Sequence, residues 1–291
     1  MTVTLGEGRT PLLRAERLSK RFGVELWLKW EGANPTGSFK DRGMSVAVTK
    51  ALEAGATGVV CASTGNTAAS AAAYAARAGL DAVIVVAAGG AASSKLVQVR
   101  AVGGRVVEVG GTFSDAYAEA ERLAADDGLV LVNSTNPHRI EGQKTAAFEI
   151  LEQLGGMPDV LALPYGGGGN TKAYARGFDE ATGVLPRLHP TEAERRADTL
   201  ASAIRIVEPI HRAEVEDALA RSGGSIVTVS DDELTAAWRL LGHEEGVFCE
   251  PASAAGVAAL ARGAARGGER VVCVITGHGL KDPDAVTRLA A

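Results

Sequence analysis

The chain is 291 residues long, 46% of them hydrophobic and 22% charged, with a formal net charge of −5. Its length and composition suffice for two domains with well-filled cores. Its acidic balance excludes the basic surface that nucleic-acid-binding proteins need. No apolar run approaches the ~18 residues of a membrane span, and residues 1–10 lack a signal-peptide pattern, so we expect a cytoplasmic protein that does not contact a membrane.

The cysteines and histidines argue against disulfide bonds and against a metal site. The three cysteines, Cys61, Cys249 and Cys273, are odd in number and lie far apart, which predicts reduced core residues rather than disulfides. The five histidines show no spacing typical of a metal site, so no metal ion is expected.

Short apolar runs alternate with amphipathic helical stretches along most of the chain. In the first half we predict strands at 26–30, 58–62, 82–86, 106–109 and 129–132, and helices at 40–54, 66–78, 94–101 and 114–126. In the second half we predict strands at 160–163, 225–229 and 271–275, and helices at 141–154, 171–182, 199–206, 231–241 and 252–265. The strands are rich in β-branched residues without a period of two, which is typical of parallel strands covered on both faces.

The predicted fold class is therefore α/β, with two doubly wound, mostly parallel open-sheet domains. No internal repeat or linker separates the two halves, so we place the boundary by pattern near residues 136–139. The larger predicted domain comprises 1–43 and 139–291, and the smaller comprises 44–138.

Residues 34–43, with the sequence Asn-Pro-Thr-Gly-Ser-Phe-Lys-Asp-Arg-Gly, lead into the first predicted helix. Pro35 and Gly37 disfavour an earlier helix start, which puts Lys40 at the head of the helix. A lysine is usually a solvated surface cation. Here the apolar residues Phe39 and Met44 flank Lys40, and the positive end of the helix dipole disfavours a cation at this place. The alternative to a surface cation is therefore an amine with a lowered pKa, which suits Schiff-base chemistry.

Three further loops follow directly after predicted strands, where ligands bind in open α/β sheets. Residues 63–67, Ser-Thr-Gly-Asn-Thr, either hold a carboxylate or phosphate or form a plain helix cap. The four glycines at 166–169 let backbone amides converge on an anion, which favours a phosphate site over a flexible linker. Thr276, at the end of a predicted strand, can offer its hydroxyl to a buried heteroatom of a ligand. The alternative is that its loop is a plain turn between a strand and a helix. By itself, Arg139 is typical of a solvated surface charge.

Taken together, these residues resemble the fold type II pyridoxal-phosphate enzymes and, within them, the threonine synthase family. The resemblance covers most of the chain, and its specific parts are residues 6–12, 34–43, 63–70, 136–145 and 276–283. It implies that pyridoxal 5′-phosphate lies in a cleft between the two domains. The larger predicted domain would bind the cofactor, and the smaller would carry the substrate loop.

The resemblance also implies roles for individual residues. Lys40 would be the catalytic residue, attached to the aldehyde carbon of the cofactor and shuttling protons. The other implied cofactor contacts are Asn66 at the ring hydroxyl, Gly166, Gly167, Gly168, Gly169, Asn170 and Thr171 at the phosphate, and Thr276 at the pyridine nitrogen. The implied substrate contacts are Ser63, Thr64 and Thr67 in the substrate loop, and Asn133, Ser134 and Arg139 at the substrate phosphate.

The implied activity is that of a carbon–oxygen lyase acting on phosphates in threonine biosynthesis, which converts O-phospho-L-homoserine and water to L-threonine and phosphate. A threonine or serine dehydratase, or a sulfhydrylase, would use the same cofactor without a distal phosphate pocket, so Arg139 separates these alternatives. A degenerate, non-catalytic relative is a third reading. The expected partner is a small phosphorylated amino acid, and a homodimer is compatible with the family.

Two stretches depart from the family pattern. The loop 166–169 is all glycine where relatives carry side chains, which predicts a less pre-organised phosphate loop. Within the shortened segment 185–199, residues 189–198 form only a charged connector where relatives have a further strand and a glycine-rich loop. Loss of this strand would leave unpaired backbone edges, so we expect a weakened larger domain and reduced cofactor retention.

Overall fold

The structure, a computed structural model, describes residues 2–90 and 94–290. The strands are β1 (Leu12–Arg14), β2 (Glu25–Trp30), β3 (Gly58–Ala62), β4 (Asp81–Ala87), β5 (Arg105–Val109), β6 (Leu129–Leu131), β7 (Val160–Pro164), β8 (Arg187–Ala193), β9 (Val227–Val229) and β10 (Arg270–Ile275). The helices are α1 (Glu16–Phe22), α2 (Lys40–Glu53), α3 (Asn66–Ala78), α4 (Val97–Ala101), α5 (Phe113–Asp126), α6 (Pro137–Gln143), α7 (Thr145–Leu154), α8 (Gly169–Thr182), α9 (Arg212–Ser222), α10 (Asp231–Glu245), α11 (Ala255–Ala261) and α12 (Pro283–Ala290). None of these described helices combines the length and apolar character needed to cross a membrane.

The chain folds into two compact units, each with its own sheet. The smaller unit comprises Met1–Glu7 and Asn34–Gln143, and the larger comprises Gly8–Ala33 and Lys144–Ala291. The sheet of the smaller unit has the order β5-β4-β3-β6 and is parallel throughout. The sheet of the larger unit has the order β1-β2-β10-β7-β8-β9 and is parallel except for the β1–β2 pair. The predicted α/β class with mostly parallel sheets is confirmed.

Both faces of the central strands are buried, which explains their continuous apolar sequences. In the larger unit, Val271 and Cys273 of β10 contact one apolar cluster, while Val272 and Val274 contact another. β3 of the smaller unit alternates between two clusters in the same way. Because β7 and β10 are parallel neighbours, the loops that follow them begin at the same edge of the sheet.

The division into units differs from the predicted domain boundaries. Residues 34–43 and 139–143 belong to the smaller unit rather than to the part of the chain that contains 144–291. The reason is packing, because α2 lies against α3 and α6. A Cβ on Gly43 would lie 2.5 Å from the carbonyl oxygen of Arg139, so α2 and α6 approach each other at backbone distance.

The expectation that residues 189–198 form a connector in place of a strand is wrong. β8 continues as far as Ala193 and pairs in parallel with β7 on one side and β9 on the other. Pro190 and Glu192 argued against a strand because proline lacks an amide N–H and a charge is rare in a central strand. Since the edges of β7 are paired, the expected weakening of the larger unit loses its structural basis.

Several element boundaries also differ from the sequence pattern. The predicted helix at 141–154 is two helices, α6 and α7, interrupted at Lys144. The predicted helix at 199–206 is reduced to a short 3-10 turn at Ser202–Ile204. The pattern does not predict β1, α1, α9 and α12. β1, α1 and α12 are short, and α9 buries only Val215 and Ala218 among its 11 residues.

We predict that Gly43→Ala destabilises the protein, because the added methyl group meets backbone atoms of α6 that cannot move independently. Overpacking of this kind costs about 1–3 kcal/mol of unfolding free energy. The matched control is Gly242→Ala, at an exposed position of α10 where a Cβ meets nothing within 4 Å. That change should stabilise the helix by about 0.5–1 kcal/mol. Urea unfolding of both variants measures the difference, and equal effects would contradict the close α2–α6 approach.

Candidate functional site

Lys40 of the smaller unit is the first residue of α2, as predicted, and is half-buried. The turn before it is closed by a hydrogen bond from the Gly37 amide to the Asn34 carbonyl, at 2.8 Å. Gly37 has φ +88°, a conformation that side chains disfavour. The Lys40 ammonium lies 4.4 Å from the centroid of the Phe39 ring, a distance at which a cation is attracted to the ring face.

The carboxylate of Asp41 fixes this turn. It accepts hydrogen bonds from the Thr36 amide at 2.7 Å, from the Thr36 hydroxyl at 2.6 Å and from the Ser70 hydroxyl of α3 at 2.6 Å. Asp41 is fully buried, so these bonds replace water around its charge. The starts of α2 and α3 are therefore tied together, and with them the positions of Lys40 and Asn66.

The predicted residues Ser63 and Thr64 lie in the loop after β3, and Asn66 and Thr67 form the start of α3. The Ser63 hydroxyl accepts a hydrogen bond from the Gly65 amide at 3.1 Å, and Asn66 begins α3 as predicted. Thr64 is exposed, whereas Thr67 is half-buried. The first N–H groups of α3 have no partner within the helix, so this loop can bind an anion, although its local geometry is equally that of a helix start.

Arg139, on α6 of the smaller unit, is completely buried rather than solvated. Its Nη1 donates to the Val132 carbonyl at 2.9 Å, while its Nε and Nη2 have no hydrogen-bond partner among the described residues. Burial lowers the pKa of Arg139 to about 10, so its guanidinium still carries a charge at neutral pH. A buried, charged fork with two unpaired donors is suited to binding an oxyanion.

Asn133 and Ser134 precede α6 in the same unit. The side-chain amide of Asn133 exchanges two hydrogen bonds of 3.0 Å with the backbone of Ala62, where β3 ends. Asn133 is buried and retains one N–H and one lone pair beyond these bonds. Ser134 is half-buried. The structure thus joins Asn133 to the end of β3, close in sequence to the loop that begins at Ser63.

The larger unit contains the glycine loop, between β7 and α8. Gly168 has φ +87°, and a Cβ on it would lie 3.0 Å from Val215 and 3.1 Å from the His211 side chain. A Cβ on Gly166 would lie 3.2 Å from the Ala203 carbonyl oxygen. Larger residues would displace these neighbours, so the loop requires glycine for close packing as well as for its backbone conformation.

Two carbonyl groups of the glycine loop accept hydrogen bonds from backbone amides. The Gly167 carbonyl accepts from the His211 amide at 3.0 Å, and the Gly168 carbonyl accepts from the Lys172 amide at 3.0 Å. The N–H groups of the first turn of α8 have no partner within the helix. Asn170 Nδ2 and Thr171 Oγ1 are buried and have no hydrogen-bond partner in the described part of the chain. The loop therefore offers both backbone and side-chain donors to an anion.

Thr276 follows β10 in the larger unit and is almost fully buried. Its hydroxyl lies 3.1 Å from the hydroxyl of Ser253, which also accepts from the Gly277 amide at 2.9 Å. The sequence pattern places Ser253 only within the predicted helix at 252–265, because nothing in the sequence brings Ser253 to Thr276.

Comparison with known proteins identifies the family. Residues 3–277 match the family described as pyridoxal-phosphate dependent enzyme. The chain is 49% identical to the threonine synthase of Halalkalibacterium halodurans, over 97% of this chain and 85% of that protein. It is 48% identical to the threonine synthase of Mycobacterium bovis, over 98% of this chain and 85% of that protein. The chain belongs to the threonine synthase family of pyridoxal-phosphate dependent enzymes.

Solved structures support the same fold. Threonine deaminase isoform 2 from Solanum lycopersicum superposes with a TM-score of 0.84 and 27% identity, over 96% of this chain and 86% of that chain. The fold type II expectation is thereby confirmed. The alignments to the Halalkalibacterium and Mycobacterium threonine synthases span 302 and 307 positions, more than the 291 residues of this chain, so these relatives carry residues that this chain lacks.

Arg196 is a further residue that sequence reasoning did not single out. The Arg196 guanidinium lies 4.6 Å from the centroid of the ring of Tyr165. Tyr165 is the residue directly before the glycine loop in the sequence. Arg196 donates to the Ile206 carbonyl at 2.8 Å, to Glu192 of β8 at 2.9 Å and, more weakly, to the Gly166 carbonyl at 3.4 Å. Arg196 therefore fastens the segment after β8 to the start of the loop.

We predict that Arg196→Met weakens pyridoxal-phosphate binding by about tenfold or more, because hydrogen bonds from a charged donor contribute about 1.5–3 kcal/mol. Its neighbour Arg195 is 76% exposed and pairs only with exposed Asp198 among the described residues, so Arg195→Met is the matched control and should leave the affinity unchanged. Titration of the cofactor-free protein with pyridoxal phosphate, followed by absorbance, measures both affinities. Equal affinities would show that Arg196 does not support the loop.

Proposed function

We propose that the chain catalyses the pyridoxal-phosphate-dependent conversion of O-phospho-L-homoserine and water to L-threonine and phosphate. The observation that carries this proposal is the fully buried Arg139, whose Nε and Nη2 have no partner among the described residues. Buried hydrogen-bond donors without a partner are costly unless a ligand accepts from them. A phosphorylated substrate supplies the matching oxyanion, and the near-half identity to threonine synthases supports the same reaction.

The residues of the larger unit fit the cofactor. The glycine loop suits a phosphate group, because its Gly167 and Gly168 carbonyls are already hydrogen-bonded to backbone amides. The side chains of Asn170 and Thr171, which have no partner among the described residues, add donors for the same phosphate. Thr276 provides a buried hydroxyl that suits a ring heteroatom. We therefore assign the cofactor phosphate to Gly166–Thr171 and the pyridine nitrogen to Thr276, and in the smaller unit we assign the ring hydroxyl to Asn66.

Lys40 is proposed to hold the cofactor covalently and to move protons. When bound, the cofactor withdraws electrons from the substrate carbons that lose protons. The Lys40 amine would remove a proton from the α carbon and then from the β carbon. Phosphate would leave from the γ carbon, water would add its hydroxyl at the β carbon, and protons would return to the γ and α carbons, so that atoms balance with threonine and phosphate as products. The Asp41 hydrogen bonds fix the turn at the head of α2, and with it the backbone from which the Lys40 side chain extends.

The remaining residues of the smaller unit are proposed to hold the substrate. Ser63, Thr64 and Thr67 would orient the substrate amino acid through their hydroxyls at the start of α3. The positive fork of Arg139, with Asn133 and Ser134, would hold the substrate phosphate and stabilise it as it leaves. We also propose a cytoplasmic compartment, which the three buried free cysteines support, and a homodimer.

We predict that Lys40→Ala abolishes threonine formation and covalent attachment of the cofactor while leaving the fold intact. Borohydride reduction of the wild-type holoenzyme, followed by peptide mapping, should place the label on Lys40. Lys50→Ala is the control, because Lys50 is an exposed lysine on the same helix and pairs with exposed Glu53. A label on any other lysine would overturn the assignment. If the protein binds the cofactor but does not convert O-phospho-L-homoserine, the hypothesis of a non-catalytic relative would be favoured.

We predict that Arg139→Lys lowers kcat/KM for O-phospho-L-homoserine by at least about tenfold, because a single ammonium cannot replace the forked guanidinium contact. Dehydration of L-serine, which needs no phosphate site, should change far less. Arg122→Lys is the control, because Arg122 is an exposed arginine of α5 in the same unit. Unchanged turnover of the phosphorylated substrate would contradict the proposed function and would favour a dehydratase or sulfhydrylase.

A further inference from the structure

The two backbone amides that hold the glycine loop belong to residues whose side chains bind one carboxylate. The His211 amide binds the Gly167 carbonyl, and the Lys172 amide binds the Gly168 carbonyl. His211 directly precedes α9, whereas Lys172 lies in the first turn of α8. The side chains of His211 and Lys172 both contact Glu214, an acidic residue in the first turn of α9. A single carboxylate therefore joins the two residues that fix the loop carbonyls.

Glu214 binds both side chains through the same oxygen atom. Lys172 Nζ donates to Glu214 Oε1 at 2.7 Å, and His211 Nδ1 lies 3.3 Å from that oxygen. The hydrogen bond from Lys172 lowers the pKa of Glu214 to about 2, so Glu214 is charged at neutral pH. An ionised carboxylate can only accept, so the contact requires the proton of His211 to be on Nδ1. The start of α8 is thus joined to the residue before α9 by charge-assisted hydrogen bonds.

The start of α9 also packs directly on the glycine loop. His211 is buried, and a Cβ on Gly168 would lie 3.1 Å from the His211 Cβ. The same Cβ would lie 3.0 Å from Val215, one turn further along α9. A shift of His211 would therefore change both the space beside Gly168 and the amide that binds the Gly167 carbonyl.

We propose that Glu214 is a positioning residue, which holds His211 and Lys172 so that the glycine loop keeps the conformation that binds the phosphate group of the cofactor. The inference rests on the proposed function, which assigns the cofactor phosphate to this loop. Without the Glu214 carboxylate, the side chains of His211 and Lys172 lose their common partner. The loop carbonyls that their amides bind are then less firmly held, and a carbonyl that turns toward an anion repels it.

The charge of Glu214 by itself would have the opposite effect on phosphate binding. A carboxylate close to a phosphate site repels the phosphate, so its removal should strengthen binding if charge alone decided the outcome. The side chains of Lys172 and Glu214 are 31% and 42% exposed, and an ion pair with this exposure adds little to the stability of the fold. The sign of the change in phosphate affinity therefore separates a positioning role from a purely electrostatic one.

The test titrates the cofactor-free protein with pyridoxal 5′-phosphate and with pyridoxal, which lacks the phosphate, and follows both by absorbance. Glu214→Gln should weaken binding of pyridoxal phosphate about three- to fivefold, the effect of one partly exposed charged pair. Its affinity for pyridoxal should stay at the wild-type value, which also shows that the variant is folded. A gain in affinity for pyridoxal phosphate, or an equal loss for both compounds, would overturn the proposal.

Asp217→Asn is the matched control, because it removes the same charge from the same helix. Asp217 is 69% exposed and lies 4.0 Å from Arg221, which is also exposed. This variant should bind both compounds as the wild type does. A loss of pyridoxal phosphate affinity as large as that of Glu214→Gln would show that the position of the charge does not matter, and the positioning role would be refuted.

Variants of Lys172 test whether the two side chains act together. Lys172→Arg keeps the ion pair with Glu214 and should keep the wild-type preference for pyridoxal phosphate over pyridoxal. Lys172→Met should reduce this preference, and the double variant with Glu214→Gln should bind no more weakly than Lys172→Met alone, because the two residues share one contact. Additive losses would show that they act independently, contrary to the proposal.

The wild-type titrations separate failure of this inference from failure of the proposed function. If the wild type binds pyridoxal phosphate no more tightly than pyridoxal, the glycine loop does not bind the phosphate, and the assignment of the cofactor phosphate fails together with the inference. If the wild type prefers pyridoxal phosphate and Glu214→Gln keeps the full preference, only the role of Glu214 is overturned.

Discussion

The direction of a few backbone carbonyls decides what the glycine loop can bind. A run of glycines is costly to order, because each loses more conformational freedom than any other residue. Here the cost is offset by packing against Ala203, Val215 and His211, and by hydrogen bonds that hold the Gly167 and Gly168 carbonyls. With the carbonyls engaged, the amides at the start of α8 are left for an anion. The same loop with its carbonyls turned outward would repel a phosphate.

Arg139 illustrates a related constraint in the smaller unit. Burial of a guanidinium with one backbone partner costs stability, as the lowering of its pKa indicates. α6 contacts α2 through Gly43 and Gly142, where no side chain separates the helices. An apolar residue of similar volume at position 139 would avoid this desolvation cost. The charge is therefore best explained by what it binds rather than by what it stabilises.

Local sequence patterns predicted those parts of the site that depend on neighbouring residues. Lys40 and Asn66 begin α2 and α3 as predicted, because Pro35, glycine turns and the apolar period specify helix starts locally. The Ser253–Thr276 pair could not be predicted, since its two hydroxyls are separated by 23 residues and meet only through the tertiary fold. The family resemblance named Thr276, but it gave no reason to examine Ser253. The burial of Arg139 was equally hidden, because an arginine in a polar stretch looks solvated.

In β8 the chain forms a paired strand where its sequence pattern predicts a connector. Relatives carry residues that this chain lacks, yet β8 still pairs on both edges, since hydrogen bonding in a parallel sheet depends on backbone rather than on side-chain type. The turn after β8 is short and charged, and Arg196 within it reaches the Tyr165 ring and the Ile206 carbonyl. One arginine can hold a loop in place by hydrogen bonds to several acceptors, because its planar guanidinium donates in several directions at once. A glycine loop without stiffening side chains therefore has its support outside the loop itself, in β8 and the residues that follow it.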